Sequence, residues 1–263
     1  LLSNHHKTKN NDYYFIYNYG GTNNYREVEN VQNVKTEITL KGEGKPYLAD
    51  AWTGKITPIV NYKKDKDTIT VDVDIAANDS NIIILSKDNI TKNNSEKDNS
   101  ISEEIKIDHW NLNIESWTKG KTVLDTNKEK IDVGQLDKLA TWNQIEGLEN
   151  VSGIGEYTAV FKTNDEYEKG QKAYIHLGRI KDAYGLMIND KKVIVDQVSG
   201  IADISNYLKK GENKIKVTVA TSLLNAVLEE NKNILNDDGR VLDDRHPSAY
   251  GLEGEIVINS KNN

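Results

Sequence analysis

The chain has 263 residues, of which 37% are hydrophobic and 29% charged, and its 34 basic and 41 acidic side chains leave a formal net charge of −7. Its longest apolar runs are about five or six residues, far short of the roughly 20 that cross a bilayer. The modest negative charge also lacks the basic face by which nucleic-acid binders displace counterions. Neither membrane insertion nor a nucleic-acid partner is expected. With no cysteine in the chain, disulfides, thiolate metal sites and thiol catalysis are excluded together within it.

Domains of roughly 100–200 residues make two modest domains or one large one. The N-terminus, Leu1-Leu2-Ser3-Asn4-His5-His6-Lys7, resembles neither a signal peptide nor an ordinary start, and the chain's single methionine is Met187. It reads as a piece of a longer protein. His5-His6 could bind a metal, but reads rather as a flexible, inert terminal pair or as part of an upstream strand.

In chain order, short alternating or β-branched runs between Gly, Asn and Asp predict strands. They lie at Tyr13–Asn18, Val34–Leu40, Lys55–Tyr62, Thr68–Ile75 and Asn81–Leu85. Thr68–Ile75 puts Ile69, Val71, Val73 and Ile75 on one face, as a half-buried strand requires. From Lys87 to Glu104 the composition turns polar, with Ile90 and Ile101 its only apolar residues. Such a segment buries too little to repay its ordering entropy and is read as an interdomain connection.

The second half opens with an alternating segment at Trp110–Trp117. Leu136, Leu139 and Ala140 predict a helical stretch within Val133–Leu148. Strands are then predicted at Gly155–Lys162, Lys172–Leu177, Tyr184–Ile188, Lys191–Asp196, Lys214–Thr221 and Glu253–Ile258. Asn189-Asp190 suits the positive φ of a tight hairpin turn. Asp203 is placed to cap a single helical turn whose Ile204 and Leu208 face the core. Gly153 and Gly155 are expected to permit close packing. The fold class is all-β: an antiparallel sandwich over residues 1–104, with the polar linker at about 87–104, then a jelly roll over 105–263.

The ordered set Ser152–Phe161, Tyr174–Gly178, Ala183–Asp190, Asp203–Ile215 and Tyr250–Ile256 resembles the galactose-binding-like jelly roll of large glycoside hydrolases. It is most similar to the C-terminal module of the α-L-rhamnosidase family that contains a catalytic barrel. Tyr13–Asn18 and Ala49–Ile56 look like the small sandwich that follows that barrel, so the resemblance runs from about Tyr13 to Ile258. It differs from the family in having Asn189-Asp190 for Asn-Gly and Gly254-Glu255 for Gly-Pro. The resemblance implies a non-catalytic C-terminal fragment whose partner is an upstream catalytic domain. In that family the acid and base carboxylates sit on the barrel, so no catalytic residue is carried over. A plant or bacterial glycan is the ligand class it implies. A secreted or surface-bound parent is favoured over a cytoplasmic one. The alternative is an autonomous carbohydrate-binding or adhesion module.

Sugar binding needs aromatic faces against C–H surfaces and a few placed polar groups in a concavity. The candidate aromatics are Trp110, Trp117, Trp142, Tyr184 and Tyr250, although a Trp in a sandwich also serves core packing. Arg179, Asp182, Asn225, Arg245 and His246 are the polar candidates. The long polar loop from Ser222 to Ala249 carries Asp243-Asp244-Arg245-His246, a pattern that also suits a salt-bridge cluster. Asn236-Asp237-Asp238-Gly239 fails as a hand-type calcium loop, because Ile234 and Arg245 occupy positions that need oxygen ligands. No cofactor is expected; a structural calcium held by scattered carbonyls and carboxylates stays open. No Gly-x-Ser-x-Gly elbow occurs.

Overall fold

The computed structural model describes residues 1–19, 32–90, 100–101, 103–122, 124–180, 182–230 and 247–260. The chain divides into two compact units, Leu1–Lys97 and Asp98–Asn263. Each is an antiparallel β-sandwich, as the alternating sequence predicts. Part of the polar connection, residues 91–99 and 102, lies outside the described residues.

In the first unit, β1 (Leu2–Lys7), β2 (Asn11–Tyr17), β4 (Lys45–Ala49), β5 (Ile56–Pro58) and β8 (Ser80–Ser86) form one sheet in the order β1-β2-β8-β4-β5. A second sheet joins β3 (Val34–Lys41), β6 (Tyr62–Asp65) and β7 (Thr68–Ile75) in the order β3-β7-β6. Ile69, Val71, Val73 and Ile75 of β7 meet Tyr14, Ile16, Ile83 and Leu85 in the core. Each such aliphatic side chain contributes about 1.5–3 kcal/mol on burial. The predicted single strand Lys55–Tyr62 is instead two, β5 in one sheet and β6 in the other. Pro58 has no N–H to extend a ladder, and the chain crosses between sheets after it.

His5-His6 is not a loose end. Both residues lie in β1, which pairs with β2 along its length. The His5 ring stacks on Tyr14 with centroids 4.2 Å apart. Its Nε2 is 2.8 Å from the Asp12 carboxylate, which is buried. β1 is an exposed edge strand with no alternation in its residues, so periodicity cannot reveal it.

In the second unit, six strands form the larger sheet: β10 (Asn111–Lys119), β11 (Thr126–Gln135), β12 (Gly153–Lys162), β15 (Ala183–Ile188), β16 (Lys191–Val193) and β18 (Glu212–Ala220). Their order is β11-β10-β12-β18-β15-β16. The smaller sheet joins β9 (Ile105–Ile107), β13 (Tyr174–His176), β17 (Ile201–Asp203) and β20 (Ile256–Asn259) in the order β17-β13-β20-β9. A short ribbon pairs β14 (Arg179–Ile180) with β19 (Leu252–Glu253). Inward residues from the two main sheets, such as Leu112, Tyr157, Val217, Ile175 and Ile258, share one core.

Local chemistry explains the joints. The β15–β16 hairpin turns on Asn189 and Asp190, with φ of 49° and 63°, the left-handed pair of a primed turn. Asn189 Nδ2 donates to Asn213 Oδ1 at 2.8 Å, and buried Asn213 ties down the carbonyls of Lys209 and Gly211. Asp203 Oδ1 accepts from the Ser205 N–H at 3.0 Å, so it caps the turn that buries Ile204 and Leu208.

The helix predicted within Val133–Leu148 is absent. β11 runs to Gln135, and only Trp142–Gln144 forms a 3-10 turn. The N–H groups of Leu136 and Trp142 donate instead to the carbonyls of Trp110 and Tyr250, at 2.8 Å each. Helical spacing there reflects apolar residues docking on the core from irregular chain. Glu253–Ile258 is likewise split into β19 and β20 by Gly254, whose φ is 94°.

Candidate functional site

Three of the five candidate aromatics belong to the core. Trp110 donates its Nε1–H to Ile107 O at 2.9 Å and is 3% exposed. Trp142 is fully buried against Tyr250, edge to face with centroids 6.2 Å apart. The Trp142 Nε1–H donates to the Tyr157 hydroxyl at 2.7 Å, and that hydroxyl also accepts from the Leu252 N–H at 3.2 Å. Tyr250 closes the cluster through Ser222, hydroxyl to hydroxyl at 2.6 Å. Gly155 and Gly251 leave room for the indole: a β-carbon on either would lie within 3 Å of Trp142. None of these rings offers a face to a sugar. They fill the space where the sheets converge.

Asn225 is likewise taken up in the packing of the chain. It lies in the short helix α1 (Leu224–Glu230) and is fully buried. Its Oδ1 accepts from the Ser248 N–H at 2.7 Å, while its Nδ2 donates to the Ser248 carbonyl at 2.9 Å. The amide reproduces a strand partner for a single residue and anchors the end of the long loop. Most of that loop, residues 231–246 with Asn236–Gly239, Arg245 and His246, lies outside the described residues. Arg179 is placed by its backbone in β14, opposite Glu253.

Two candidates remain accessible at this end of the second unit. Asp182 and Tyr184 are half-buried, before and within β15. The Tyr184 hydroxyl donates to Asp196 O at 3.1 Å. Burial, reinforced by the Asp196 carboxylate, pushes its phenol up to about 12, so at neutral pH it acts as a hydrogen-bonding group and not as a base. Trp117 is half-buried on the other side of the sheet. Lys128 Nζ sits 4.1 Å from its ring centroid. Its Nε1–H donates to Glu115 at 2.7 Å, and this bond, with Lys128 beside it, holds the Glu115 carboxyl below its usual range. The cation already occupies that aromatic face.

A concavity lies on the outer face of the six-stranded sheet, where residue-level sequence reading places no site. It encloses about 530 Å3 over β10, β12, β18 and β15. Register builds it: Asn111 lies opposite Thr158, Thr158 opposite Lys216, and Lys216 opposite Met187. Val160, 51% exposed, and Lys214 extend it. Glu156 pairs with Lys216 at 3.2 Å. Each of these residues belongs to the outward-facing half of an alternating strand; only the cross-strand register, unreadable from one sequence, gathers them. Among the described residues, no group of three or more His, Asp or Glu side chains is arranged to hold a metal ion. No helix among them is long and apolar enough to cross a membrane.

No protein-family model matches the chain, and no curated protein sequence is significantly similar to it. Solved structures do match. A rhamnosidase from Novosphingobium sp. PP1Y superposes over 97% of this chain with a TM-score of 0.67 at 17% identity. This chain shares its fold with a segment of that protein. The likeness takes in both sandwiches, and the chain spans 23% of that protein's length. Weaker likenesses include a β-D-glucuronidase from Dictyoglomus thermophilum, with 64% of this chain and 29% of that one covered, 16% identity and a TM-score of 0.33. Another is a β-glucuronidase from Faecalibacterium prausnitzii, with 64% and 32% covered, 14% identity and a TM-score of 0.36.

Proposed function

We propose that this chain is a non-catalytic accessory region of a larger glycoside hydrolase of the rhamnosidase kind, supporting a catalytic domain encoded with it. The observation that carries the reading is the single alignment of both sandwiches, 97% of the chain, with part of one rhamnosidase. A chance jelly-roll likeness would take in one unit alone. The first unit adds physical support. Phe15 and Leu2 share the non-core face of their sheet, through the pairings Leu2 with Tyr17 and Phe15 with Ile82. They are 45% and 57% exposed, and apolar groups on a sheet face are the means by which a sandwich packs on a neighbouring domain.

In the second unit the galactose-binding-like assignment rests on the order of its motifs. Among the described side chains, saccharide contact at the loop end falls to Asp182 and Tyr184, because the candidate Trp110, Trp142 and Tyr250 rings are occupied with packing. Reading the open reading frame on both sides of this chain tests the proposal. A catalytic barrel with acidic residues at its C-terminal face supports it. An array of cell-surface repeats would contradict it and favour the autonomous glycan-binding module.

A further inference from the structure

The outer groove of the six-stranded sheet combines three chemistries. Asn111 and Thr158, adjacent across β10 and β12, present a side-chain amide and a hydroxyl. Val160 and Met187 present apolar surface on either side of β18. Lys214 presents an exposed ammonium that makes no ion pair among the described residues, although the Asp190 carboxylate also lines the groove, whereas Lys216 is engaged with Glu156. From Asn111 to Met187 the floor crosses three inter-strand steps, about 14 Å at the usual strand spacing. That is the span of a short oligosaccharide.

We propose that this groove binds an oligosaccharide bearing a carboxylate, of the uronate class. A uronate presents the three complementary parts: hydroxyls for Asn111 and Thr158, a C–H face for Val160 and Met187, and a carboxylate for Lys214. His109 supplies the one ring among the residues that line the groove, and its Nδ1 is 3.3 Å from Gln135 Nε2; no Trp, Tyr or Phe lines it, so a neutral sugar would lack the broad stacking platform that ordinarily holds it. The charge contact then adds to the polar and apolar ones, and salt must weaken binding. An extended acidic peptide fits less well. The backbone groups beneath the groove are spent in the ladders between β10, β12, β18 and β15, leaving no free edge for strand addition. The inference concerns a different surface from the loop end and does not depend on the accessory role.

The chain supplies its own reporter, because Met187 is its single methionine. Labelling the methionine methyl with carbon-13 gives one resonance inside the groove. Titration of the full chain with oligogalacturonate should shift that resonance saturably, with affinity that falls as salt is raised. A neutral oligoglucoside and oligoglutamate of equal length should leave it in place. Lys214→Glu should weaken oligogalacturonate binding roughly fivefold or more, the upper range for an exposed charge contact. Lys214→Gln, which keeps most of the side chain's length, replaces it if the reversal perturbs folding. No shift at millimolar oligogalacturonate overturns the proposal. So does an equal response to the neutral oligomer or to oligoglutamate, salt-independent affinity, or unchanged affinity in the Lys214 variant.

Discussion

The indole N–H of Trp142 and the hydroxyl of Tyr157 meet at 2.7 Å in a region closed to solvent. Burial raises the Tyr157 phenol above its ordinary value, against the lowering effect of the Leu252 N–H and the Trp142 N–H. Its hydroxyl serves as the shared acceptor for these two buried donors. Tyr157→Phe keeps the ring and orphans both. At about 1–3 kcal/mol for each unsatisfied group, the second unit should lose roughly 2–5 kcal/mol in urea unfolding. A loss below about 0.5 kcal/mol would show that water or repacking satisfies the donors.

Asn225 gives a direct contrast between a clamp and a ligand. Asn225→Ala leaves the Ser248 N–H and carbonyl without their amide partner. Stability of the second unit should fall by about 2 kcal/mol in urea unfolding. A variant as stable as the parent chain would return Asn225 to the list of ligand candidates.

The β15–β16 turn is improvable. Asp190 holds a φ of 63°, which glycine adopts without steric cost. Asp190→Gly should raise stability by about 0.5 kcal/mol, the gain from the favoured residue of a primed turn set against glycine's greater unfolded-state entropy. Thermal unfolding checks the sign; destabilisation by 1 kcal/mol or more would mean that the Asp190 side chain makes a contact worth more than the strain.

These elements also show what the sequence makes legible. Thr68–Ile75 can be read to the residue because its aliphatic side chains alternate and all face one core. The Asn189-Asp190 turn is legible because few residue types tolerate its backbone. β1 and β11 are not legible: Leu2–Lys7 is exposed throughout, and Thr126–Gln135 is nearly so, so neither carries a periodic signal. The candidate site fares worse. Tryptophan suits a sugar platform and a core equally well, and only the glycines beside Trp142 and the partner of its N–H decide between them. The outer groove needs registers between four strands, which depend on long-range pairing.

Alkaline pH probes Tyr184. A tyrosine becomes charged when it loses its proton, so a phenol raised to about 12 by burial and then by Asp196 stays neutral in the folded chain after the unfolded chain has begun to ionise near pH 10. Its contribution to stability is fully present below about pH 10 and is lost as pH rises towards 12. Phenolate absorbance should show Tyr184 among the late-titrating tyrosines, and Asp196→Asn should bring it earlier. Titration of Tyr184 near 10 in the folded parent chain would contradict the burial seen here.

The most direct test of the accessory role is catalytic. The purified chain, folded by circular dichroism, is incubated with an aryl α-L-rhamnoside and with rhamnose-containing polysaccharide, and released phenol and monosaccharide are followed. Release no faster than in buffer is the expected result. Sustained turnover that co-purifies with the chain and disappears on substitution of one of its own carboxylates would contradict the account.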